Sequence, residues 1–326
     1  MSRALILLAL ILAAPALAND SVAETAAGGL VLVPNGAVDM VSEDLYVSRL
    51  EVRVRYVFRN RTRAPVRVTV AFPMPDHDLA AEEEGDVAWP SDFHTSVAGR
   101  EVPMRVERRA LLNGVDHTAL LTRLRIPIEG RQDDGAMVRA LDALAPADQD
   151  RLAALGLIQL FSEPGTPRRN AAPRWTVKET WHWEQTFPVG RDLVVEHRYR
   201  PGVGGTVATA LGSAEIRSSD YGRETIARYC IDDDLLATIG RIGRRNQDNW
   251  IPLAESWLSY ILTTGANWRS PIGEFRLVVD KGDPNALVSF CGEGVRRISP
   301  TQFEVRHRNW RPTRDLHVLF LVPIGG

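Results

Sequence analysis

"LEVRVRYVFRN", from Leu50 to Asn60, alternates strictly. Val52, Val54, Tyr56 and Phe58 fall on one side of an extended chain, with Arg53 and Arg55 on the other. A period of two marks a strand with one buried face. After the turn "RTRAP", the segment "VRVTVAFPMP" resumes the pattern with Val66, Val68, Val70 and Phe72, until Pro73 and Pro75 end it. Together the two segments read as a β-hairpin with one apolar face.

Outward from this point the same grammar recurs. "FHTSVAGREVPMRVERRA" (93–110) reads as a second hairpin around Gly99. "RWTVKETWHWEQTFP" (174–188) places Trp175, Val177, Trp181 and Trp183 on one face and pairs with "LVVEHRYRP" (193–201). Phe187-Pro188 echoes Phe72-Pro73, a weak sign of internal repetition. Over 133–160 the spacing of Met137, Leu141, Leu144, Leu152, Leu155 and Ile158 lengthens to three or four. That spacing predicts a helical insertion of two short helices broken at Pro146, followed by a loop, "SEPGTPRRNAAP" (162–173). A second helical patch carries Tyr221, Thr225, Ile226 and Tyr229, then Leu236, Ile239 and Ile242, with Asp232, Asp233 and Asp234 placed to cap. From Trp257 onward short strands and turns alternate, as in a sandwich or barrel. The expected fold is mainly β: sandwich-like sheets with a small helical insertion and a short helical patch before the C-terminal sheet. An N-terminal β region is expected over 19–213 and a C-terminal region over 214–326.

The first residues read as an export signal. Arg3 precedes an apolar run from Ala4 to Ala14, and Ala16-Leu17-Ala18 offers small residues where signal peptidase cuts. Cleavage after Ala18 makes residues 1–18 a signal peptide and Asn19 the new N-terminus; the alternative is an uncleaved anchor. A spanning helix needs about 20 apolar residues, and no later stretch resembles one. The expected location is therefore the periplasm or the exterior. There an even, small number of cysteines usually pairs, which predicts a Cys230–Cys291 disulfide; the alternative is two buried free thiols. A net charge of −2 gives no sign of nucleic-acid binding.

Motifs that carry chemistry are sparse. The seven histidines lack metal-ligand spacing, and His182, His197 and His317 read as hydrogen-bonded strand residues. No GxSxG and no phosphate loop occurs, and "PGVGGTV" (201–207) reads as a turn. The pairs Glu179/Glu184 and Glu43/Asp44 have the residue type for glycoside hydrolysis but no fixed spacing. The run Glu82-Glu83-Glu84 with Asp86 reads as a solvated loop, with a calcium site as the sharper alternative. Among eight tryptophans, Trp181, Trp183 and Trp268 are the candidate ligand-binding residues. Exposed rings stack on sugars or grip peptides, whereas buried rings fill a core. "TGANW" (264–268) is a turn that would present Trp268 at a loop tip. No cofactor or metal is expected.

Several longer stretches point further: "NDSVAETAAGGLVL", "VDMVSEDLYVS", "YVFRN" leading to "VAFPMPD", "YCIDDDLLA", "TTGANWRSPIGEFRLVVDKG" and "LVSFCGEGV". Together they resemble the bacterial domain-of-unknown-function 4424 family, over nearly the whole chain after Ala18. The resemblance implies exported, mostly β proteins without assigned catalytic residues. The "FPMP" segment also resembles the strand pattern of vault/inter-alpha-trypsin-type sandwich modules. Two functions are expected. One is a non-catalytic envelope protein that binds or organises another macromolecule, another envelope protein or a glycan, through a strand edge or sandwich face. The other is recognition of carbohydrate or cell wall through exposed tryptophan, with hydrolysis as its extension.

Overall fold

The computed structural model describes residues 19–26, 29–80, 89–129, 135–162, 169–246 and 250–324. The expected export signal and the acidic run at 82–86 lie outside the described residues. In chain order the first strands are β1 (Ser21–Ala26), β2 (Gly29–Val33), β3 (Val38–Ser48), β4 (Val52–Asn60) and β5 (Val66–Pro73). Next come β6 (His77–Asp78), β7 (Ser91–Val97), β8 (Arg100–Glu101), β9 (Arg105–Leu112) and β10 (Val115–Asp116). Helices α1 (Thr118–Arg123), α2 (Ala136–Asp142) and α3 (Pro146–Ala154) lead to β11 (Ile158–Ser162), β12 (Arg169–Pro173), β13 (Thr176–Phe187), β14 (Asp192–Arg200) and β15 (Gly204–Thr206). Helices α4 (Ala214–Ser218), α5 (Asp220–Tyr229) and α6 (Asp233–Gly243) precede β16 (Leu253–Tyr260) and a 3₁₀ turn (Thr263–Asn267). The chain ends in β17 (Ile272–Asp280), β18 (Leu287–Phe290), β19 (Arg296–Arg297), β20 (Gln302–Trp310) and β21 (Leu316–Pro323).

Among the described residues the fold is mainly β. One sheet has the order β19-β20-β17-β3-β4-β14-β7-β8 and a second β10-β9-β13-β5-β1-β2, with β6 added to β13. A third has the order β15-β16-β21-β18. Val52, Val54, Tyr56 and Phe58 of β4 are buried, and Arg53 and Arg55 are exposed, as the alternation requires. Their faces meet Phe72, Trp183 and Phe187 from the second sheet and Tyr260, Val318 and Phe320 from the third in one core. "LHVLFLVP" is nearly all apolar because β21 is covered on both sides. Val318 and Phe320 enter that core, while Leu319 and Leu321 meet Tyr229, Ile231 and Ile239 beneath the helices.

The expected first hairpin does not form. β4 pairs with β3 and β14, whereas β5 pairs with β1 and β13, so the chain crosses between sheets at "RTRAP". Asn60 holds this corner, donating from Nδ2 to the carbonyls of Ala64 (2.8 Å) and Phe187 (3.0 Å) and accepting from Thr62 N–H (2.8 Å). β13 and β14 are likewise split between the two sheets. A period of two records which side is apolar; it does not record whether the next strand lies beside or opposite. The hairpin at Gly99 does form between β7 and β8, with Ala98 and Gly99 at φ 50° and 75°. After Pro103 its second arm continues as β9 in the other sheet.

The helical insertion is corrected in detail. Pro146 opens α3, where a missing N–H costs nothing. Residues 158–160, read as helix, belong to β11, which pairs with β12 at the end of the expected loop. Gly156, at φ 76°, ends the helical path before them. Helix α1 was not expected. The second patch forms as α5 and α6, with the Asp232 side chain accepting from Leu235 N–H at 2.7 Å, and α4 is an addition. Cys230, just past α5, is disulfide-bonded to Cys291, just past β18. The 19–213 and 214–326 regions share the large sheet through the parallel pair β3–β17.

Candidate functional site: a charged sheet face above a buried polar cluster

The outward side chains of the large sheet lie in rows fixed by strand register. One row runs Arg306, Arg276, Asp44, Arg55, Glu196 and Ser96, from β20 to β7. The next contains Tyr46, Arg53, Arg198 and His94. Opposite charges across strands attract. Arg276 reaches Asp44 at 3.1 Å and Glu304 at 2.8 Å, Arg306 reaches Glu304 at 2.9 Å, and Arg55 reaches Glu196 at 3.5 Å. Hydrogen bonds from Arg306 and Arg276 hold the Glu304 carboxyl down at about 2. The Arg53 guanidinium lies 4.4 Å over the Tyr46 ring, and His94 Nδ1 is 2.9 Å from Glu101. A groove of about 580 Å³ crosses this face, lined in part by Tyr46, Arg53, His94, Glu196, Arg198 and Arg276. In sequence these residues are the polar phase of their strands. Their grouping depends on non-local register, so sequence reading missed it.

The three candidate tryptophans do not make a binding wall. Trp183 and Trp268 are 5% and 2% exposed. Trp268 packs on Phe58 with ring centroids 4.5 Å apart, and its Nε1 donates to the Asp20 carbonyl at 2.6 Å. The expected loop tip is instead the 3₁₀ turn, whose Thr264 and Gly265 are themselves buried. Trp183 Nε1 donates to Gln185 at 3.1 Å. Trp181 is half-buried, stacked on Phe93 at 4.9 Å, with Nε1 donating to Glu179 at 2.8 Å. The partly exposed aromatic wall belongs to Trp310, which lies 4.3 Å from Phe275 and 5.0 Å from His307. It borders a cavity of about 340 Å³ that also holds Glu293, Arg314 and Asp315, next to the disulfide.

Beneath the charged face lies a polar cluster inside the main core. Asn19, Asp20 and Ser21 are 0% exposed. Asn19 Nδ2 donates to Glu43 Oε2 at 3.0 Å, and its Oδ1 accepts from the Tyr56 hydroxyl. Tyr56 and Tyr260 hydroxyls are 2.9 Å apart. His197 Nε2 lies 3.1 Å from Asp20 Oδ1, and its Nδ1 2.8 Å from Thr95 Oγ1. Desolvation pushes the Glu43 carboxyl up to about 8 and raises Asp20. Asp20 Oδ2, Glu43 Oε1 and Thr264 Oγ1 are buried without a hydrogen-bond partner among the described residues. A sequence signal existed: Glu43 shares the inward phase of Leu45 and Val47, and His197 that of Val195 and Tyr199. Among the described residues no group of His, Cys, Asp and Glu is arranged to hold a metal, and no helix is long and apolar enough to cross a membrane.

These features define a mainly β sandwich with a charged outer face, a polar core cluster and a disulfide-stapled helical patch. The family described as Domain of unknown function (DUF4424) matches residues 18–319, and the chain belongs to that family. Comparison with curated proteins finds no match. Among solved structures, a "putative nutrient binding protein" from Legionella pneumophila is 16% identical with a TM-score of 0.43, over 92% of this chain and 72% of that one. An M1 zinc metallopeptidase from Deinococcus radiodurans is 9% identical with a TM-score of 0.24, over 88% of this chain, which spans 43% of the peptidase's length.

Proposed function

We propose that this is an exported, non-catalytic binding protein of the cell envelope, and that its charged sheet face holds an extended segment of another envelope protein. The groove of about 580 Å³ carries this reading. Its walls are hydrogen-bonded strands about 4.8 Å apart, so its guanidinium and carboxylate groups stand at fixed intervals. An extended chain of complementary charge meets such a lattice without first ordering it. Arg55 with Glu196 and Arg276 with Asp44 form cross-strand ion pairs there, which fix the positions of the charges. Export is supported by the apolar segment ending at Ala18 and by the Cys230–Cys291 bond.

A photo-crosslinking side chain at Ser96, in the groove-face row, tests the reading against the same group at Val207, which is 90% exposed elsewhere. The expected result is a discrete adduct from Ser96 alone, lost at high salt and in the double variant Arg55→Glu, Arg198→Glu. Equal adducts from both positions, or indifference to charge reversal, would overturn it. The cavity beside Trp310 favours a second reading, a glycan site. In that case Trp310→Ala abolishes retention on isolated cell-wall material while the charge reversals leave it intact.

A further inference from the structure

The cluster beneath the sheet contains two fully buried carboxyls, Asp20 and Glu43. Among the described residues, no Lys or Arg side chain hydrogen-bonds either of them; the facing groups are His197, Tyr56, Tyr260 and the Asn19 amide. A buried charge must be neutralised or paired, and a buried acceptor left without a hydrogen bond is destabilising. Two such acceptors lie here, Asp20 Oδ2 and Glu43 Oε1, and the Thr264 hydroxyl is likewise buried without a partner among the described residues. The loop carrying Thr264 lies against Asn19, because a Cβ on Gly265 would stand 2.8 Å from Asn19 Nδ2. A compact cation with several N–H donors beside Asn19 would satisfy the two carboxyl oxygens.

Asn19 is also the residue that follows the expected cleavage point. We propose that hydrolysis of the Ala18–Asn19 bond creates an α-ammonium that stays inside the core and pairs with Glu43 and Asp20, so that the sandwich is completed by processing. A signal peptidase supplies the catalysis and water the co-reactant. The peptide C–N bond breaks, the water oxygen stays on Ala18 as carboxylate, and Asn19 keeps the nitrogen, protonated near neutral pH. The resulting –NH₃⁺ has three donors, enough for the two carboxyl oxygens. The inference shares the export step with the proposed function and is independent of the groove.

The two forms differ in pH response. With Asn19 in a peptide bond, Glu43 titrates near 8 when folded against 4.5 when unfolded, so the folded state binds the extra proton. Stability is then present below about 4.5 and is lost as pH rises towards about 8. With an ammonium beside it, Glu43 is charged in the folded state and this loss disappears.

The test starts from the processed protein recovered from cells. Mass spectrometry should find the chain beginning at Asn19, its α-amine inert to an amine-reactive label while folded and reactive once denatured. A different N-terminus, or equal labelling in both states, overturns the proposal. A chain carrying one added Gly before Asn19 should melt lower by on the order of 10 °C, and Glu43→Gln should remove most of that gap. Identical melting of the free and extended chains at every pH between about 4.5 and about 8 also overturns it. Should the extended chain not fold, the labelling result decides.

Discussion

Trp268 fills the space between Phe58 and Phe187 and ties the 3₁₀ turn to the first buried residues through the Asp20 carbonyl. Replacing it with Ala removes a packed ring and leaves that carbonyl without its donor. The expected cost is about 3–5 kcal/mol, read as a lower urea midpoint; an unchanged midpoint would place the ring outside the core. At this scale the sequence is legible in part. The inward phase of β3 and β14 picks out Glu43 and His197 as polar residues at apolar positions. Which partners satisfy them is not legible, because Asn19, Tyr56 and Tyr260 come from segments far apart in the chain. Tryptophan content announces aromatic surface without saying which side of a sheet carries it.

At the level of elements, most strands and both helices of the later patch could be read from period and capping residues. Asp232 is a clear case, since an acid three residues before an apolar helical run accepts a helix N–H. Pairing was harder. β4 and β5 have the grammar of a hairpin, yet Asn60 folds the chain over so that they face each other across the core. The disulfide joins α5 to the end of β18, and Ser289 Oγ adds a bond to the Tyr229 carbonyl at 2.9 Å. With a sequence separation of 61 between the cysteines, the chain-entropy estimate is about 4 kcal/mol. The double variant Cys230→Ser, Cys291→Ser should lose stability of that order in denaturant melts, and thiol labelling of unreduced, denatured wild type should find no reactive sulfur. Full labelling would contradict the bond.

In the whole molecule, the pairing of β3 with β17 joins the first and last thirds of the chain in one sheet. Arg276 and Asp44 are direct partners in this pair although 232 residues separate them. Nothing local announces such a parallel neighbour, which is why a sequence reading finds two β regions and not their shared sheet. A fragment covering 19–213 should therefore show no cooperative thermal transition, and adding 214–326 in trans should restore one. A sharp transition of the fragment alone would mean that β3 tolerates an open side. Biosynthesis meets the same geometry. A polypeptide made from its amino end displays β3 with unpaired amides and carbonyls until the distant partner arrives, and such an open ladder invites neighbouring molecules to add on. The interval between the two is a window for clumping, and a holdase that shields nascent strands is the kind of help this topology calls for.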